Sequence, residues 1–175
     1  MHVIAAGLSL ALGSLQFSQR LRSSRPALHR NLGRLYLIAV LVGGIGALGL
    51  APQAAGGTAA QLSFGMLGVL WLFSGWQAYA AIRRGEVANH RAWMLRNFAL
   101  TFAAVTLRIQ LGVMTGGLGM SFDDAYACVA WTSWVPNLVL VEWFLALAPS
   151  ARKASDTEVS VTPESAETTA QTGSA

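Results

Sequence analysis

Two of the chain's three histidines stand in the same setting. His29-Arg30, in "ALHRNLGRLY", and His90-Arg91, in "ANHRAWMLRN", each sit just ahead of a long apolar run. Two histidines on different helices of one bundle can supply the axial ligands of a b-type haem, and arginines can pair with its propionates. On that reading His29 and His90 are the ligands, and Arg30, Arg34, Arg91 and Arg96 are the surrounding cations. Gly33, one turn past His29, would leave room for a porphyrin face. A plainer reading makes both residues interfacial histidines that bond backbone, lipid phosphate or a carboxylate. His2, the third, begins an outward-facing run and cannot join the other two.

A second set of polar residues falls inside apolar runs: Arg108, Asn137 and Glu142. An arginine at mid-bilayer costs about 2.5–3.5 kcal/mol, so it should face the bundle and have a partner. Glu142 is the acidic residue within reach of that depth, separated from Arg108 by roughly 7 Å at 1.5 Å per residue. A structural ion pair is the first expectation, and a proton or ion pathway the second. Asn137 follows Pro136, where a kink frees a backbone carbonyl.

Other chemistry has weak support. The sequence has no GxSxG, P-loop or GxGxxG motif and no His/Cys/Asp/Glu cluster with the usual metal spacing. The one cysteine, Cys128, excludes an internal disulfide and reads as a small buried apolar group. Of 175 residues, 54% are hydrophobic and 11% charged, against about 25% charged in a soluble domain. This is the composition of an integral membrane protein. The net charge of +4 does not point to nucleic acid, because the basic residues lie in short clusters between apolar runs.

The elements that hold these residues are membrane-spanning helices, which need about 20 mostly apolar residues each. Five stretches qualify: Val3–Gln19, Leu35–Ala51, Leu62–Ile82, Phe98–Thr115 and Ala125–Ala148. Residues 1–148 therefore form an all-α membrane bundle of about five helices. The Ser/Thr/Ala/Glu-rich stretch 149–175 reads as a disordered cytoplasmic tail. Arginines cluster between spans one and two, and between spans three and four, while the other two loops carry none. Positive loops stay inside, so the N-terminus is outside and the C-terminus inside. No basic stretch precedes the first run as in a signal peptide, and the true start is expected further upstream.

Sliding the chain by 61 residues superposes the two His-Arg pairs, and also Gly7 on Gly68, Gln16 on Gln77 and Arg22 on Arg83. This suggests two helical hairpins in parallel, spans one–two and three–four. Pro26 and Glu86 look like helix-start residues, which places His29 and His90 early in helices two and four. Ala39, Gly43, Ala47 and Ala51 form a small-residue ridge for close packing, and Gly112 with Gly116 forms a second small pair.

The segments "GSLQF", "HRNLGRLY", "FGMLGVLW", "HRAWMLRNFALTFAAVTLR" and "WTSWVPNLVLVE" resemble the bacterial membrane family catalogued as domain of unknown function 2306, over about residues 2–143. The positions characteristic of that family fall on His2, His29, Arg30, Gly33, Arg34, Tyr36, His90, Arg91, Trp93, Met94, Arg96, Arg108, Asn137 and Glu142. The resemblance implies a multi-pass protein of the bacterial inner membrane and brings no activity with it. Its partner is the lipid bilayer, with a homo-oligomer or a membrane partner open. Three readings stand beside each other: haem b electron transfer through His29 and His90, proton-linked solute transport, and an accessory subunit. None is an enzyme of a recognisable kind.

Overall fold

The computed structural model describes residues 1–160, with side chains through residue 147. Every regular element among the described residues is helical. The order is α1 (His2–Gln16), α2 (Gln19–Ser24), α3 (Pro26–Leu50), a 3₁₀ turn (Ala51–Gln53), α4 (Gly57–Arg83), α5 (Val87–Gly112), a π turn (Val113–Gly117), α6 (Phe122–Thr132) and α7 (Val135–Ser160). One compact unit comprises Met1–Val141, and a second begins at Glu142. The first unit carries the site residues discussed below, Glu142 excepted. Residues 161–175 of the expected tail lie outside the described residues.

Four stretches are long and apolar enough to cross a membrane: Pro26–Gln53, Gly57–Arg83, Val87–Gly117 and Phe122–Leu147. The first expected span is shorter than that, since α1 stops at Gln16. Ser18 ends the run by accepting a hydrogen bond from the Leu21 amide and capping α2. The fifth expected span is not one kinked helix. It breaks between Thr132 and Val135, where α7 starts with Pro136 in its first turn. Proline has no amide hydrogen to continue a helix from upstream, but none is needed in a first turn.

Two helices begin well before their apolar runs. α3 starts at Pro26 and α5 at Val87, beside Glu86, as the helix-start residues indicated, ahead of the apolar runs at Leu35 and Phe98. Pro26 suits the first helical turn. Glu86 precedes α5 and is held by Arg84 and by Asn89, the latter at 2.9 Å. Hydrogen bonds from Arg84 and then Asn89 pull the Glu86 carboxyl down to about 2. The negative charge faces the positive end of the helix dipole.

The two starts, Pro26 and Val87, are 61 residues apart, the same offset that relates Tyr36 to Asn97. These equivalent side chains meet: the Tyr36 hydroxyl donates to Asn97 Oδ1. Their neighbours correspond as well. A Cβ on Gly13 would meet the Tyr36 ring at 2.9 Å, whereas Ser74, its equivalent, accepts from Asn97 Nδ2 at 2.8 Å. The α1/α3 and α4/α5 hairpins are thus built to one plan, with different side chains at the centre.

The exterior is apolar and the interior is small or polar. Ile38, Leu41, Ile45, Phe73, Trp76 and Ile109 are exposed, while alanines and serines fill many buried positions. Lipid tails are as apolar as leucine, so close packing of small residues holds such a bundle together. Ala39 and Ala51 are buried, and a Cβ on Gly43 would press on the Trp71 ring at 3.0 Å, so this ridge packs as expected. The Gly112/Gly116 pair does not: nothing lies within 4 Å of either. Cys128 is exposed, contrary to expectation, because α6 buries Ala125, Val129 and Ala130 instead. Trp76 is also exposed.

Candidate functional site

The centre of the first unit is a polar network linking α3, α4 and α5. Tyr36, Asn97 and Thr101 are buried, with Trp71 and Ser74 beside them. Asn97 Nδ2 donates to Trp71 O at 2.7 Å and to Ser74 Oγ at 2.8 Å. Trp71 Nε1 donates to Thr101 Oγ1 at 2.8 Å, and Thr101 donates to Asn97 O at 2.9 Å. Each polar atom named here has a partner, which a low-dielectric interior demands. Asn97 was not among the sequence candidates. The 61-residue slide would have found it, since it aligns with Tyr36.

At one end of the network lies the His-Arg region. His90 Nδ1 is 2.8 Å from Ala78 O and must donate to that carbonyl. Gln16 Nε2 donates to His29 O at 3.4 Å. His29 Nδ1 is buried and lacks a hydrogen-bond partner among the described residues. The room over Gly33 is not open to a porphyrin. A Cβ there would lie 3.6 Å from Gln16 Oε1, so the buried Gln16 side chain covers that face. The haem reading loses its steric support. Arg30 and Arg91 are exposed. Arg34 reaches Asn31 Oδ1 at 3.4 Å, and Arg96 lies 4.8 Å over the Trp93 ring. Histidines and arginines here form a helix-end belt.

At the other end is a cavity of about 640 Å³. Its walls come from the start of α1, the end of α3 with its following turn, the first half of α4, the second half of α5, and α6. Trp71 and Thr101 belong both to the polar network and to the cavity lining, so the network underlies the cavity. His2 and Arg108 line it together. His2 Nδ1 is 2.8 Å from Gly43 O, and a carbonyl can only accept, so Nδ1 carries a hydrogen. Arg108 Nη1 donates to Ala104 O at 2.6 Å. Among the described residues of the first unit, no carboxylate forms an ion pair with Arg108. Ser133, fully buried, also lines the cavity, and its Oγ has no hydrogen-bond partner among the described residues.

The sequence candidates therefore divide. His29 and His90 occupy one end, and His2 and Arg108 share the other. Because α5 starts at Val87, Arg108 falls near its far end, close to Gly112, rather than at mid-helix. Asn137 Nδ2 is taken up by Ser133 O at 2.9 Å and Thr106 Oγ1 at 3.1 Å, which fastens the start of α7 to α5. That is a structural clamp. Glu142 opens the second unit. Ser133, Trp71 and Tyr126 were missed as lining residues, because nothing local in "WTSWVP" marks a serine that folding leaves unpartnered.

Among the described residues no group of three or more His, Cys, Asp or Glu is placed to hold a metal ion. Comparison with curated proteins and with solved structures found no match for the chain. Comparison with protein families did: the family described as "Predicted membrane protein (DUF2306)" matches residues 1–145. With apolar helices on the outside, a hydrogen-bonded polar network within, and a match over most of its length, the chain belongs to that membrane-protein family.

Proposed function

We propose that this protein is a multi-pass protein of the bacterial inner membrane, N-terminus outside and C-terminus inside, that binds a small amphiphilic molecule in the cavity opposite its arginine-rich end. The observation that carries this reading is the cavity itself. It is of ligand size, largely apolar, and lined by a few convergent polar groups, as binding sites are. The orientation is supported by the arginines, which gather at the α1–α3 and α4–α5 connections and are absent from the loops around the cavity. Binding rather than catalysis is favoured because no nucleophile–base pair is set up among the lining residues. The bilayer is the natural partner.

Filling the cavity tests this. Ala104→Trp places an indole beside Arg108, and Ala54→Trp places one at a second lining position. Native mass spectrometry of the whole protein should show a single-chain amphiphile on the wild type, with loss of at least tenfold in affinity in both variants. Equal binding by all three would overturn the assignment of the site.

A further inference from the structure

We infer that the cavity selects amphiphiles with one anionic head, a carboxylate or a phosphate monoester, held by the Arg108 guanidinium with His2 and Ser133. This rests on the cavity being the binding site.

Arginine stays charged under all relevant conditions and has five N–H donors. Arg108 donates from Nη1 to Ala104 O. An arginine within a membrane-spanning helix is costly unless an anion, a wet cavity or the interface meets it. The first unit supplies no carboxylate for it among the described residues. A planar guanidinium matches a carboxylate or phosphate through paired N–H bonds. The ligand supplies the missing charge.

The second observation is independent. Ser133 is completely buried, yet its hydroxyl has no protein partner among the described residues. Buried hydroxyls without partners are rare. This residue borders the same cavity as Arg108. His2 adds a third group. Its Nδ1–H is committed to Gly43 O, which leaves Nε2 for the ligand. With Nδ1 protonated, Nε2 is an acceptor and can take a hydrogen from a protonated head group. The rest of the lining is mostly aliphatic, including Leu50, Leu67, Leu100 and Leu107, and suits a hydrocarbon chain.

Such a molecule arrives either as a bilayer lipid or as a free amphiphile, and the head chemistry is shared. The test uses the whole protein in phosphatidylcholine nanodiscs, titrated with dodecanoate, dodecyl phosphate or dodecanol and read by native mass spectrometry. The two anions should bind one equivalent at least tenfold more tightly than the alcohol. Arg108→Gln should remove that preference, bringing both anions to the affinity of dodecanol. Arg108→Lys should retain part of it, which guards against a folding artefact. Dodecanol binding as tightly as dodecanoate would overturn the anion assignment and leave the cavity reading intact. Binding of none of the three would overturn both. Repeating the titration with phosphatidic acid, a lipid with a phosphate monoester head, in the nanodisc separates the sources. Competition with dodecanoate supports an anionic lipid as occupant, and its absence supports a free anionic amphiphile.

Discussion

Tyr36 and Asn97 carry the most concentrated polar interaction in the first unit. Tyr36→Phe removes the donor to Asn97 Oδ1 and leaves that oxygen buried without the hydroxyl. Such a loss costs about 1–2 kcal/mol in a membrane bundle. Asn97→Ala should cost more, because Asn97 Nδ2 also serves Trp71 O and Ser74 Oγ. Reversible unfolding in mixed micelles should rank the variants in that order. Glu86 gives a pH-dependent prediction. Its carboxyl is held at about 2, below the ordinary value of 4.5. The charge-dependent contribution is therefore present above about 4.5 and disappears as pH falls through about 2. Thermal midpoints of wild type and Glu86→Gln should converge over that interval. A difference that stays constant with pH would mean the carboxylate does not act through its charge.

At the scale of elements, glycine marks where helices approach. A Cβ on Gly13 would lie 2.5 Å from the Phe98 ring and 2.9 Å from the Tyr36 ring, so α1 could not keep its distance from α3 and α5. Gly13→Ala should destabilise by about 1–3 kcal/mol through overpacking. Gly7→Ala, with nothing within 4 Å, should be close to neutral by the same unfolding measurement. The sequence showed this level unevenly. Apolar runs and the 61-residue offset pointed to the helices and to the paired starts at Pro26 and Val87. Hydropathy placed the starts of α3 and α5 too late, because their first turns are polar and basic and extend past the apolar run. It also missed the break before α7, where Pro136 sits in a first turn rather than inside a helix. Periodicity alone did not say that Gln16 would cover Gly33, or that Cys128 would lie on the exposed face of α6. Those depend on how neighbouring helices rotate.

At the scale of the molecule, the account joins two asymmetries. Arginines and two histidines gather at one end of the first unit, and a cavity with one arginine and one histidine lies at the other. The first asymmetry was legible, since charge distribution is a property of sequence. The second was only half legible. His2 and Arg108 were visible as candidates, but their shared cavity is made by five elements, and Ser133 gained its importance only through folding. In the proposed orientation, with the arginine-rich end inside, the cavity faces outward. Cysteine accessibility checks this directly. In a Cys128→Ser background, Ala55→Cys places a thiol on the exposed cavity-side loop, and Ser23→Cys places one at the arginine-rich end. An impermeant maleimide applied to intact spheroplasts should label Ala55→Cys at once and Ser23→Cys only after permeabilisation. Labelling of Ser23→Cys with protection of Ala55→Cys would contradict the account, because the cavity would then face the cytoplasm.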